Sequence, residues 1–166
     1  MNESEDISVR FAAQEDLDAM ASIYAESFDD LQPRLSIEQY LRPSGSWALI
    51  AFVLAGGEDT PAGYILTRNA ADEAEIFSIG VAPVFRKQGV GLALLTAMEG
   101  VASIRGADAV FLEVGVDNLA ARALYSKAGF ELIGQRPDYY RNSGGDRVTA
   151  LVLHKRLENI ENRESN

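Results

Sequence analysis

The chain contains no cysteine and one histidine, His154, among 166 residues. Without cysteine there is no disulfide, no thiolate metal ligand and no cysteine nucleophile. A lone histidine cannot form a histidine triad. No Ser/His/Asp arrangement or metal-binding spacing accompanies it, so His154 reads as structural and no metal is expected. Long apolar runs are also missing, and no segment suffices to span a membrane. The opening residues, MNESEDIS, are acidic and lack an apolar h-region, so no secretory signal is expected and a cytoplasmic location fits. Positive charge is scarce: 15 Lys and Arg stand against 25 Asp and Glu, a formal net charge of -10. A field of that sign repels phosphate backbones, which argues against direct nucleic-acid binding. It favours a cationic partner such as a basic peptide or a polyamine, and it also serves plain solubility.

What is present describes one α/β domain. The length favours a single core, and 47% hydrophobic with 24% charged residues is an ordinary globular mixture. Residues 1–6 and 158–166 lack a core pattern and read as flexible ends around a domain at 7–157. Within it, Ile7 to Phe11 predicts a strand. Leu17, Met20, Ala21, Tyr24 and Phe28 lie at helical spacing, predicting a helix from Gln14 to about Phe28. Pro33 interrupts that pattern, and Ser36 with Gln39 resembles the capping box of a short second helix. Trp47 to Ala55 and Pro61 to Arg68 form a hairpin around the Gly56–Asp59 turn. Glu75 to Val81 is a strand stopped by Pro83, Gly89 to Arg105 a helix, Ala109 to Val116 a strand and Leu119 to Ala128 a helix. Phe130 to Gln135 and Arg147 to Lys155 close the chain as strands. The strand–helix–strand succession from Glu75 to Val116 requires a crossover and a locally parallel pair. With the antiparallel hairpin before it, the expected architecture is a mixed sheet with helices on both faces.

Three stretches carry chemistry. In Val81-Ala-Pro-Val-Phe-Arg-Lys-Gln-Gly-Val-Gly91 a strand ends and glycines open a helix. First-turn N–H groups and the helix macrodipole accept a phosphate or pyrophosphate, and Gly89 and Gly91 let it approach the backbone. Arg86 and Lys87 add positive charge. The stretch meets neither the Walker A pattern nor the dinucleotide fingerprint, which would place its third glycine where Leu94 stands. A loop merely shaped by glycine is the alternative. Glu113 interrupts the apolar strand Ala109-Val-Phe-Leu-Glu-Val-Gly-Val116. If buried, its carboxylate would become a better proton acceptor near neutral pH; the alternative is a Glu facing solvent or paired with an Arg. Tyr125 sits in the compact helix Asn118-Leu-Ala-Ala-Arg-Ala-Leu-Tyr-Ser-Lys-Ala-Gly-Phe130, capped by Asn118 and ended by Gly129. Its hydroxyl suits proton donation to a leaving thiolate, or plain packing with a backbone partner.

The order strand, Arg86-x-x-Gly89-x-Gly91, helix, strand, Asn118-x-x-Ala121-x-x-Leu124-Tyr125-x-x-x-Gly129-Phe130 resembles the GNAT superfamily of acetyltransferases. Residues 72–83, Leu112-Glu-Val114, Asn118, Ala123-Leu-Tyr125 and the pair Tyr139-Tyr140 are most similar to its RimI group, the ribosomal-protein-alanine N-acetyltransferases. The resemblance implies acetyl-CoA as co-substrate. Ile79, Gly80 and Val81 would line its pantetheine. Arg86, Lys87, Gln88, Gly89, Val90, Gly91 and Leu92 would hold its pyrophosphate, and Asn118 would also touch it. It implies Glu113 as general base, Tyr125 as general acid, and Tyr139 and Tyr140 as walls of an acceptor slot. A backbone N–H of the Ile79–Val81 segment would polarise the thioester carbonyl. An N-terminal α-amine, with a pKa of about 8 against about 10.4 for lysine, needs only a modest base. The implied acceptor is a protein N-terminus such as that of a basic ribosomal protein, and the enzyme a monomer or homodimer. Two other readings stay open: a GNAT enzyme acting on lysine or a small amine, and an acyl-CoA-binding module without catalysis.

Overall fold

The computed structural model describes residues 6–141 and 144–158; the expected flexible ends, apart from Asp6 and Glu158, lie outside the described residues. Contacts divide the chain into two units, Met1–Arg68 with Phe77–Met98 and Asn69–Ile76 with Glu99–Asn166.

The first unit is built on a β-meander. Strand β1 (Ile7–Phe11) pairs antiparallel with β2 (Ser46–Ala55), Ile7 opposite Val53 and Phe11 opposite Leu49. β2 returns as β3 (Glu58–Ala70) through Gly56 and Gly57, both left-handed at φ +60° and +82°, the conformation that matches a tight hairpin to the twist of its strands. Strand β4 (Glu73–Val81) follows, its alternating burial marking a strand with one covered face. Helices α1 (Leu17–Ser27) and α2 (Pro33–Leu41) bury Met20 and Ile37 in one cluster with Ile50, Tyr64 and Leu66 of the sheet. Asp16 ties the entry of α1 to β1: it accepts two bonds from the Arg10 guanidinium, at 2.7 and 2.9 Å, and one from the Ala13 N–H at 2.7 Å. The Arg10 bonds chiefly hold its carboxyl below the usual carboxylate range.

Helix α3 (Val90–Ile104) comes down on β3 where Gly63 leaves room. A β-carbon on Gly63 would stand 2.8 Å from the Gly80 carbonyl oxygen and 3.0 Å from Val90 and Leu94 side-chain carbons. One on Gly80 would stand 2.5 Å from the Tyr64 ring, whose buried hydroxyl meets Ser78 Oγ at 2.9 Å.

In the second unit the start of β4 pairs parallel with β5 (Ala109–Gly115), Glu73 opposite Ala109 through Ile76 opposite Leu112. β7 (Arg147–Arg156) lies antiparallel between β5 and β6 (Glu131–Arg141). Pairing thus runs β1-β2-β3-β4-β5-β7-β6, the expected mixed sheet, with seven strands and four α-helices among the described residues. Helix α4 (Leu119–Lys127) is capped as expected: Asn118 Oδ1 accepts the Ala121 N–H at 3.2 Å, and Gly129 follows its end at φ +92°. Lys155 Nζ donates to the Ala128 carbonyl at 2.7 Å and to Glu99 at 2.8 Å, so one cation serves the end of α4, α3 and β7 together.

Several expected boundaries change. Pro33 starts α2 at its first position, where a missing N–H is harmless, instead of separating two segments. Ser36 is therefore inside α2 and caps nothing; its hydroxyl donates to Asp30. The first helix begins with one 3-10 turn at Gln14–Asp16 and ends at Ser27, with Phe28 already extended. β6 continues past Gln135 to Arg141 by bulging between Arg136 and Tyr140, which accommodates Pro137 without a ladder bond.

Gly63→Ala is expected to lower unfolding stability by about 2 kcal/mol, the scale of overpacking against atoms that cannot move aside. A urea midpoint equal to that of the parent protein would show that α3 tolerates the extra methyl.

Candidate active site

In the first unit, Ile79, Gly80 and Val81 end β4, with Gly80 buried and its neighbours partly exposed. The chain then makes a 3-10 turn at Pro83–Phe85 and an exposed loop from Arg86 to Gly89. Lys87 and Gly89 are both left-handed, at φ +61° and +90°. Left-handed residues within a turn gather backbone N–H groups into concavities that bind anions. Ala93 N–H makes the first bond of α3, to the Gly89 carbonyl at 3.0 Å. The N–H groups of Val90, Gly91 and Leu92 precede it and have no acceptor in the helix. Arg86 Nε bonds back to the Val81 carbonyl at 3.3 Å, and Gln88 bonds the Val84 carbonyl at 3.1 Å, holding the loop on itself. Among the described residues neither Arg86 nor Lys87 forms an ion pair. This donor set, two cations and a run of unfilled N–H groups, fits a pyrophosphate.

In the second unit, Glu113 stands on β5 opposite Val152. It is not sunk in the core: its side chain keeps 29% of its exposure, and Oε1 lies 3.2 Å from Arg136 Nε. The condition of burial is thus not met, and the Arg-paired alternative is what the structure shows. Arg136 in turn lies over the Tyr139 ring, 5.0 Å from its centroid. Tyr139 is 55% exposed; Tyr140 sits opposite Val148, and its side chain is outside the described residues. Asn118 uses its side-chain oxygen on the cap of α4. Sequence reasoning did not find Arg136, because the expected strand stopped one residue before it.

Tyr125 is 5% exposed, its ring edge-on to Phe130. Burial pushes its hydroxyl up to about 12. The group is therefore a proton carrier across the neutral range, as a general acid must be. His154 stacks at a tilt on Phe111, a packing role. Among the described residues no three His, Asp or Glu side chains converge on a possible metal position, and no helix is long and apolar enough to cross a membrane.

Residues 16–130 match the Acetyltransferase (GNAT) family, and the chain belongs to it. It is similar to the uncharacterised protein ML0378 of Mycobacterium leprae, 35% identical over 150 residues, which are 87% of this chain and 40% of that protein. It is 44% identical over 84 residues to the N-alpha-acetyltransferase RimI of Mycobacterium tuberculosis, covering 51% of each. These matches span roughly half or less of the relatives' own length. Among solved structures, the ribosomal-protein-S18-alanine N-acetyltransferase of Escherichia coli superimposes with a TM-score of 0.79 at 26% identity, over 92% of this chain and 94% of that one.

Because the raised Tyr125 value exceeds the tyrosine norm of about 10, the folded state holds this proton more tightly than the unfolded state. Its contribution is complete below pH 10 and declines as pH climbs through the folded value. The parent protein should therefore lose more stability than Tyr125→Phe between pH 10 and 12, read from urea midpoints. Equal losses would mean the hydroxyl ionises as it does in solvent.

Proposed function

We propose that this chain is an acetyl-CoA-dependent N-acetyltransferase that modifies the N-terminal α-amine of a protein. The observation that carries the reading is the opening of α3: left-handed Lys87 and Gly89, N–H groups at Val90, Gly91 and Leu92 with no acceptor in the helix, and Arg86 and Lys87, which form no ion pair among the described residues. Such a terminus is built for a pyrophosphate. The choice of acceptor follows the two named relatives, an N-alpha-acetyltransferase and a ribosomal-protein-S18-alanine N-acetyltransferase.

Bound acetyl-CoA supplies an activated thioester. The backbone of Ile79–Val81 lines its pantetheine arm and offers an N–H to the thioester carbonyl oxygen, where charge develops during attack. Asn118 adds a contact to the same molecule. Glu113 takes a proton from the acceptor amine, directly or through a water. Tyr125, whose hydroxyl is protonated at neutral pH, gives its proton to the departing thiolate. Transfer is direct and uses no covalent enzyme intermediate. Tyr139 and Tyr140 border the acceptor.

Glu113→Gln and Tyr125→Phe are each expected to lower kcat/KM by about 10²-fold or more, the usual worth of a general acid or base. The assay follows CoA thiol release with a peptide that begins with alanine. Acetyl-CoA binding measured by calorimetry should persist in both variants. Full activity in both removes the assigned roles; CoA binding without turnover on peptide, lysine or polyamine leaves a non-catalytic acyl-CoA module.

A further inference from the structure

One cation in the second unit is held from two sides by groups that recognise cations. Arg136 places Nε 3.2 Å from the Glu113 carboxylate and its guanidinium carbon 5.0 Å from the Tyr139 ring centroid. A carboxylate binds an ammonium through charge-assisted hydrogen bonds, and an aromatic face binds it through its quadrupole. The β6 bulge makes the arrangement possible. Residues 137–139 face Thr149 alone on β7, Asp138 is left-handed at φ +53°, and Tyr139 returns beside Arg136. The contact is open to exchange, since Arg136 keeps 55% of its side-chain exposure and ion pairs so exposed are weak and screened.

We infer that Glu113 and Tyr139 are the receiving site for the acceptor's protonated amine and that Arg136 is its stand-in, displaced when the acceptor arrives. The inference rests on the reading of Glu113 as base. The incoming ammonium replaces the guanidinium on both groups. It then passes one proton to the Glu113 carboxylate, leaving a neutral amine with its lone pair free. An acceptor already acetylated carries no charge there and cannot displace Arg136. The chain's net charge of -10 attracts cationic acceptors in general.

The test uses the full chain with CoA bound and a short peptide that begins with alanine, alongside its Nα-acetylated twin. In a 15N NMR spectrum, the Arg136 Nε–H signal, assigned by its loss in Arg136→Lys, should shift on adding the free-amine peptide and stay in place with the acetylated one. In turnover, Arg136→Met should lower the peptide KM by about two- to five-fold, the factor equivalent to a surface ion pair. Arg136→Lys should restore the parent KM, and the acetyl-CoA KM should not move in either variant. A raised peptide KM in Arg136→Met would make Arg136 a direct acceptor contact and overturn the inference, as would an unmoved KM or an unmoved NMR signal. Turnover by Glu113→Gln separates the two readings. Displacement of Arg136 with Glu113→Gln fully active removes the base and keeps the docking site; no displacement with Glu113→Gln inactive keeps the base and removes the docking site.

Discussion

The close approach of α3 to the sheet over Gly63 sets the geometry of the first unit. Val90 and Leu94 occupy the space where a β-carbon would be, and Gly80 makes the same room for Tyr64. A helix seated that tightly has its first turn fixed relative to the end of β4. The loop between them must then rise through a short path, and it does so with left-handed backbone at Lys87 and Gly89. Gly89 adopts that conformation freely, whereas Lys87 does so against the ordinary preference of a residue with a side chain. The result is a helix terminus whose first N–H groups have no acceptor within the helix, beside two cations that form no ion pair among the described residues. Local strain and unmet hydrogen bonding of this kind are tolerable where a ligand supplies the missing partner.

The second unit separates the behaviour of like residues by environment. Tyr125 and Tyr139 carry the same phenol. Tyr125 is shut into the fold against Phe130, so its anion is disfavoured and its proton retained. Tyr139 is turned to solvent by the β6 bulge and offers its face to a cation. Glu113 is neither buried nor free. Its pairing with Arg136 orients it without the heavy desolvation of a core carboxylate. Lys155 is likewise engaged, on the carbonyl at the end of α4 and on Glu99.

Much of the fold could be read from the chain because local and tertiary preferences agree. The Gly56-Gly57 hairpin, the alternation in β4, the Asn118 cap and the Gly129 stop each declare themselves within a few residues, and the crossover from β4 to β5 follows from their order. The left-handed turn into α3 was legible in part, because Gly89 and Gly91 mark the place where a strand gives way to a helix. What stayed hidden depended on distant partners. Ser36 looked like a cap until Asp30, six residues earlier, competed for its hydroxyl. Pro33 can end one helix or begin another, and only the path of the chain decides. The expected strand stopped at Gln135, yet β6 runs on to Arg141 through a bulge that carries Pro137, and Arg136 lies in that extension. Glu113's partner lies 23 residues away on another strand, and no local pattern names it.

The decisive measurement is where an acetyl group lands on a single peptide that begins with alanine and also contains a lysine. The protein and acetyl-CoA are incubated with it at neutral pH, and the product is sequenced by tandem mass spectrometry. The account predicts one acetyl group, on the α-amine. Acetylation of the lysine side chain, or no transfer at all, would contradict it.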